Sequence, residues 1–162
     1  MCRLHVLCND KEAMAHKEKE DRWSSRPITK IIIPVQCVSM DILDSPKLLF
    51  IAHMNGQLTK KRYRYATVSV DHFSYLKYVH CISEMTSEEI IYANKCFDRY
   101  AAGFNVNVEH CHCENGRFAD SMFDQHCKGM VQGITYCGIN THSQNGRAER
   151  AIIDLQTMAQ KM

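Results

Sequence analysis

Three acidic residues, Asp41, Glu114 and Glu149, stand at or near the ends of predicted strands and helices. Asp41 follows a run of β-branched residues, Glu114 follows the strand-like run HCHC, and Glu149 lies early in a final helix. Carboxylates that converge from separate elements can hold two divalent ions about 3.5–4 Å apart, an arrangement that supports phosphoryl transfer on nucleic-acid backbones. Acids at element ends are more often turn or surface residues, so spacing alone leaves both interpretations open.

Composition limits the kinds of protein that this chain can be. Its 162 residues with 45% hydrophobic content suit one compact domain, and a formal charge of +2 means that any nucleic-acid surface must be local. No apolar stretch approaches the roughly 20 residues of a membrane span, and acids occupy the place of a signal peptide's apolar segment. The sequence therefore predicts an intracellular protein without a membrane partner, whose nine scattered cysteines are mostly reduced core residues.

The order of predicted elements indicates an α/β protein. Residues 1–30 are charged and predict a mobile or loosely docked arm, while residues 31–162 form the predicted domain. The pattern of β-branched and turn residues predicts a first strand, a loop and then a hairpin of two strands, at Ile28–Leu43, Asp44–Pro46, Arg62–Ser74 and Lys77–Ser83.

The second half of the chain alternates helices and strands. Thr86 and Glu89 form a capping-box pattern before a helix that runs to Gly103. The remaining apolar periodicities predict a strand, a helix, a strand and a helix, at Asn105–His112, Phe118–Gly129, Gly133–Asn140 and Ser143–Met162. Three strands followed by alternating helices and strands predict a mixed sheet flanked by helices.

Five motifs add a family resemblance that extends from about Val35 to the C-terminus. VSMDILDS, LTKKRYRYATVSVDHFS, HCENGRFAD, YCGIN and HSQNGRAERAIIDL resemble, in family order, the integrase core of Ty1/copia-type LTR retrotransposons. That core is a retroviral-integrase-like member of the ribonuclease-H-like superfamily. The resemblance implies a ribonuclease-H-like mixed sheet of about five strands flanked by helices.

The resemblance assigns the three acids. Asp41 matches the first metal-binding Asp, Glu114 stands where the family has its second Asp, and Glu149 matches the final Glu, with 34 residues between the last two. Asp71 in VDHFS is more conspicuous, but that segment matches the second strand, so we predict a structural or surface role for it. Glutamate at position 114 carries its carboxylate about one carbon–carbon bond further out than aspartate, which lowers the expected activity because magnesium requires strict geometry.

The implied chemistry is that of an integrase. Asp41, Glu114 and Glu149 would hold two Mg²⁺ or Mn²⁺ ions, and the enzyme would process a DNA 3′ end and join it to target DNA. DNA and a second copy of the chain are the implied partners, and the nucleus is the implied location if genomic DNA is the substrate. The alternative is a noncatalytic DNA-binding or interaction remnant that keeps the same fold.

Two segments are candidates for DNA contact. HSQNGRAER places hydrogen-bond donors and positive charge around Glu149, although an ordinary capped, solvated helix start would look the same; its candidates are Gln144, Asn145, Arg147 and Arg150. Lys60 and Lys61, in the alternating basic and aromatic run TKKRYRY, suit a nucleic-acid surface and the protection of an edge strand equally well.

The run HCHC does not predict a zinc site. On a strand, His110 and His112 face one side while Cys111 and Cys113 face the other, so four adjacent ligands cannot form a tetrahedron. The upstream residues Cys2, His5, Cys8 and His16 lack convincing paired spacing, which predicts a truncated or degenerate form of the zinc module that precedes such cores. We therefore expect no structural zinc.

Overall fold

The computed structural model describes residue 31 and residues 33–52, 58–138 and 145–160, together with the backbone of a short strand near the N-terminus. Side chains of residues 47–52, 58–61 and 160 are outside this description. The strands are β1 Leu4–Val6, β2 Cys37–Ala52, β3 Leu58–Asp71, β4 Lys77–Ile82, β5 His110–Cys113 and β6 Gly133–Tyr136. The helices are α1 Ser87–Ala102, α2 Ser121–Gly129 and α3 Gly146–Gln160. No helix in the described part of the chain is long and apolar enough to cross a bilayer.

The strands form one mixed sheet in the order β1-β4-β3-β2-β5-β6. Neighbours from β1 to β2 in this order are antiparallel, whereas β5 pairs parallel with both β2 and β6. The five strands predicted from the sequence are β2 to β6, so the predicted α/β sheet is confirmed. β1 falls in the segment predicted as an arm; most of that segment lies outside the described residues, and its mobility stays a prediction.

Helices cover both faces of the sheet. On one face, α1 and α2 bury Ile90, Phe97 and Phe123 against Val38 and Met40 of β2. On the other, α3 packs through Ala151 against Val68 and Val70 of β3. Because side chains alternate along a strand, each residue of β2 that faces α1 and α2 is followed by one that faces α3.

The start of α1 confirms one sequence prediction and refines it. The Thr86 side chain caps the helix by accepting the Glu89 N–H at 3.3 Å, and Gly103 follows the last turn. The Glu89 carboxylate accepts the Ser83 N–H at 2.7 Å and the Glu84 N–H at 3.3 Å. It therefore ties α1 to the end of β4 instead of closing a capping box.

Several predicted boundaries were wrong. The loop predicted at Asp44–Pro46 lies inside β2, where the register with β3 shifts between Asp44 and Leu49. A bulge tolerates proline because the missing N–H need not join the ladder there. The strand predicted from Ile28 is β2 and begins only at Cys37, since residues 33–36 turn. β5 begins at His110, after a loop that includes Asn105 at φ 58°.

Candidate functional site

The parallel pairing of β2 and β5 places Asp41 beside Glu114. Met40 pairs with Cys113, and the Glu114 N–H continues the ladder by donating to the Met40 carbonyl at 3.4 Å. Met40 and Cys113 point into the α1–α2 core, so the next residue of each strand points to the face that α3 covers. The two carboxylates therefore lie side by side on one face of the sheet, where the pairing of β2 with β5 ends.

Asp41 is a buried carboxyl, only 8% exposed, whose Oδ1 accepts the Ile42 N–H at 2.7 Å. The pKa of Asp41 is raised to about 6. Burial is the largest cause, the Ile42 bond opposes it, and the Glu114 charge, a side-chain hydrogen bond with Glu114 and the Glu149 charge add to the rise. All three predicted acids thus lie within electrostatic reach of one another. Their mutual repulsion would be relieved by a cation.

Helix α3 brings Glu149 to this face. Asn145, just before the helix, is 2% exposed and donates from Nδ2 to the Met40 carbonyl at 3.0 Å, which fixes the helix start next to Asp41. Ala151 then packs against β3. Glu149 lies in the first turn between these two anchors.

The donor set fits a hard divalent cation. Carboxylate oxygens are the ligands that Mg²⁺ and Mn²⁺ prefer, and Asn145 Oδ1 adds a buried oxygen without a hydrogen-bond partner among the described residues. No three carboxylate, imidazole or thiol side chains in the described part of the chain already surround a common point at ligating distance. Asp41, Glu114 and Glu149 therefore do not form a ready-made ligand cluster in this structure, and a metal centre there stays a prediction.

Glu114 folds back over its own turn. Its carboxylate atoms lie 3.6–3.7 Å from the position that a Cβ on Gly116 would take. The Asn-Gly turn that follows β5 therefore leaves ordinary contact room for the longer acid. The turn thus accommodates a glutamate at the position where the motif resemblance predicts an aspartate.

Asp71 has a structural role, as predicted. It is fully buried and pairs with Val38, on the face of β2 opposite to Asp41. Its Oδ1 accepts the N–H groups of Val35 at 2.9 Å and Phe73 at 3.2 Å. Its Oδ2 accepts the N–H and the hydroxyl of Ser74 at 2.9 and 2.6 Å. These bonds organise the turn between β3 and β4.

The predicted DNA contacts have different surroundings. Arg150 is exposed, with 72% of its side chain accessible, and its Nε lies 3.4 Å from Asp154. Arg147 instead donates from Nη1 to the His72 carbonyl at 3.0 Å, and Asn145 is buried as described above. Gln144 and the side chains of Lys60 and Lys61 lie outside the described residues. DNA contact by all six stays a prediction.

A polar cluster that the sequence did not predict lies beside the acids. His110 Nε2 and His112 Nδ1 each lie 2.9 Å from Thr135 Oγ1, and His112 Nε2 lies 3.4 Å from Cys137 Sγ. Cys111 and Cys113 are fully buried on the opposite face, so the predicted alternation of HCHC is confirmed. The alternation along β5 predicted that His110 and His112 share a face, but only the register of β5 with β6 reveals their partners Thr135 and Cys137.

Burial and neighbouring charges disfavour the charged forms of Cys137 in this cluster and of the nearby His72. Burial, Arg147, His112 and His110 together lower the pKa of His72 to about 3. Burial and the charges of Asp41, Glu114 and Glu149 raise the pKa of the Cys137 thiol. Cys137 is therefore not an activated nucleophile, because its thiolate is disfavoured.

Solved structures share this architecture. A chain of the simian T-cell lymphotropic virus intasome in complex with PP2A regulatory subunit B56 gamma aligns with a TM-score of 0.61 at 20% identity, over 80% of this chain and 41% of that one. The HTLV-2 integrase catalytic core domain in complex with magnesium aligns at 0.55 and 20%, over 80% of this chain and 72% of that one. The catalytic core domain of BIV integrase aligns at 0.55 and 22%, over 76% and 68%.

No protein-family model and no curated protein match the sequence. The chain spans less than half of the intasome chain, and identities near one fifth establish shared architecture alone. The strand order, the helices on both faces and these alignments agree. The chain has the integrase-like, ribonuclease-H-like fold that its motifs predict.

Proposed function

We propose that this chain is a retrotransposon-derived integrase core of the Ty1/copia type, which processes DNA 3′ ends and transfers them to target DNA. The observation that supports this most is the register that puts Glu114 beside Asp41 on the face covered by the helix of Glu149. The proximity of the Glu114 and Glu149 charges to Asp41 supports the metal centre that the motif resemblance implies.

In this proposal, Asp41, Glu114 and Glu149 hold Mg²⁺ or Mn²⁺. Bound divalent ions supply activation of the attacking oxygen and stabilisation of the leaving oxygen. Because the pKa of Asp41 is raised to about 6, a divalent ion would compete with a proton on this carboxyl at pH values below about 6. Arg150, which is exposed one residue after Glu149, would contact a phosphate, and Lys60 and Lys61 of β3 are proposed as further phosphate contacts.

Metal-dependent cleavage of short duplex DNA tests the enzyme hypothesis. We expect Mn²⁺- or Mg²⁺-dependent nicking or joining that chelation abolishes and that Glu149→Gln removes. Glu88→Gln, an exposed charge change in α1, is the matched control and should leave the rate unchanged. Activity that survives Glu149→Gln would refute the assignment of this site.

Glu114→Asp tests the unusual ligand. Shortening the side chain by one methylene should bring the carboxylate nearer to the ligand distance that magnesium requires, about 2.0–2.1 Å, and should raise cleavage. Manganese should tolerate Glu114 better than magnesium does, because its geometric preference is less strict. A loss of activity on Glu114→Asp would show instead that the site has adapted to glutamate.

The second candidate function is a noncatalytic DNA-binding or interaction remnant. Glu114 favours it, since it replaces the aspartate expected at a metal-binding position. Such a protein would bind duplex DNA without metal and would cleave nothing, even as Glu114→Asp. Metal-independent DNA binding without cleavage would refute the enzyme hypothesis in favour of the remnant.

The partners belong to the same proposal. DNA ends and target DNA would be the substrates, in the nucleus if the DNA is genomic. Self-association is proposed as well, since solved HTLV-2 integrase core structures are described in dimeric and trimeric forms. Light scattering on the purified chain would measure its oligomeric state, and a monomer at every concentration would contradict this part.

A further inference from the structure

The contacts of Arg147 differ from those of an exposed, phosphate-binding arginine. Its Nη1 donates to the His72 carbonyl at 3.0 Å, and its guanidinium carbon lies 5.2 Å from the centroid of the Tyr75 ring. The second distance is within the range of a cation–π contact. One side chain of α3 is thus docked on the turn between β3 and β4.

We propose that Arg147 is a positioning residue, which holds the first turn of α3 against this turn so that Glu149 faces Asp41. The proposal rests on the proposed function, because Glu149 matters only as a metal ligand of that site. It assigns a supporting role to the turn at residues 71–76, which neither the motifs nor the metal ligands indicated.

Hydrogen bonds within the turn between β3 and β4 hold the groups that Arg147 contacts. The buried carboxylate of Asp71 accepts two hydrogen bonds from Ser74 and one from Phe73. The Tyr75 N–H donates to the Asp71 carbonyl at 3.0 Å, and Tyr75 itself adopts φ 57°, a conformation that costs a non-glycine residue energy. Several bonds therefore fix the carbonyl and the ring that Arg147 contacts.

Glu149 lies between fixed points of α3. Asn145 attaches the helix start to the Met40 carbonyl, and Arg147 attaches the first turn to His72 and Tyr75. Further along, Asp154 accepts a hydrogen bond from Lys77 at 2.7 Å. Because α3 is held by contacts before and after Glu149, the rotation of this residue about the helix axis is defined. Arg147 makes the contact that is nearest to Glu149 on its N-terminal side.

The chemistry of arginine distinguishes positioning from phosphate binding. A planar guanidinium can stack on a ring while one of its N–H groups reaches a carbonyl, which an ammonium cannot reproduce. A phosphate contact needs mainly the positive charge, which lysine keeps. Arg147→Lys should therefore behave like Arg147→Gln if the residue positions the helix, and like the wild type if it binds phosphate.

Hydrogen exchange of metal-free protein tests the proposal without reference to activity. We expect Arg147→Gln and Arg147→Lys each to speed amide exchange in residues 147–151 about tenfold, as the loss of one bond and one ring contact implies. Exchange in β2 and β5 should not change. Tyr75→Asn keeps a residue that tolerates positive φ, removes the ring, and should give a smaller increase that is not additive with Arg147→Gln. Arg99→Gln, a charge change at the end of α1, is the control.

Mn²⁺ affinity and DNA binding complete the test. Both Arg147 variants should weaken Mn²⁺ binding severalfold while the slope of DNA affinity against salt stays that of the wild type. Exchange equal to that of Arg99→Gln would overturn the proposal. So would a salt slope lowered by about one in Arg147→Gln and restored in Arg147→Lys, since that identifies a phosphate contact. If the wild type binds no Mn²⁺, the metal centre fails, whereas the exchange data still decide whether Arg147 holds α3.

Discussion

Replacing Asp41 with asparagine should stabilise the metal-free protein at neutral pH. The folded protein raises the pKa of this carboxyl from 3.8 to about 6, because the group is buried next to Glu114 and Glu149. Between these pH values the folded state binds more protons than the unfolded state at Asp41, so the contribution of this group to stability is fully present below pH 3.8 and is lost as pH rises through 6. Asparagine stays neutral and avoids this loss.

The size of the expected stabilisation follows from the pKa shift of Asp41. At about 1.4 kcal/mol per pKa unit, ionised Asp41 costs at most about 3 kcal/mol, and solvent screening reduces that figure. In a domain of this size the stabilisation corresponds to a rise in Tm of up to roughly 6–12 °C. The asparagine side chain would keep an oxygen that accepts the Ile42 N–H, so the substitution removes charge without removing that bond.

Urea unfolding in EDTA at pH 4 and pH 7.5 measures the effect. We expect Asp41→Asn to match the wild type at pH 4 and to exceed it in free energy of unfolding at pH 7.5. Asp44→Asn on the same strand, which removes only an exposed ion pair with Arg64, should change stability by less than about 1 kcal/mol at either pH. An Asp41→Asn protein that is less stable at pH 7.5, or a difference independent of pH, would refute the proximity of the three acids.

Three further predictions concern the metal, the turn and the DNA surface. Mn²⁺ affinity, measured by titration calorimetry, should fall about tenfold per pH unit below pH 6 as the ion competes with one proton on Asp41, and a flat profile would contradict this. Asp71→Asn should lower the free energy of unfolding by about 2–4 kcal/mol, because an NH₂ group would face donors that now bind a carboxylate; a change under about 1 kcal/mol would contradict the structural role. Neutralising Lys60, Lys61 and Arg150 together should lower the salt slope of DNA binding by up to about three, and an unchanged slope would remove this surface from the proposal.

The order of the strands and helices could be predicted because it depends on local patterns. β-Branched runs and alternation identified the strands, and the motif order placed Asp41 at the first strand in preference to Asp71. The Thr86 cap was equally local, since a hydroxyl before a helix start needs no tertiary partner. These features require only residues that are close in sequence.

The remaining features depend on contacts between distant segments. β2 continues through Pro46 because β3 is long enough to pair with it beyond a register shift, which the local Asp-Ser-Pro pattern does not reveal. Arg147 contacts a carbonyl and a ring 75 and 72 positions away, so its charge alone suggested a surface role. His112 acquired its partners through the register of β5 with β6. Such pairings follow from tertiary packing and have no local pattern.

Anomalous diffraction from crystals soaked in Mn²⁺ tests the central claim most directly, that Asp41, Glu114 and Glu149 hold a divalent ion. We expect a manganese peak on the face covered by α3, with oxygens of Asp41 and Glu114 at about 2.0–2.2 Å and Glu149 turned toward it. The peak should disappear in Asp41→Asn. A peak among other side chains, or none at millimolar Mn²⁺ above pH 7, would contradict the account.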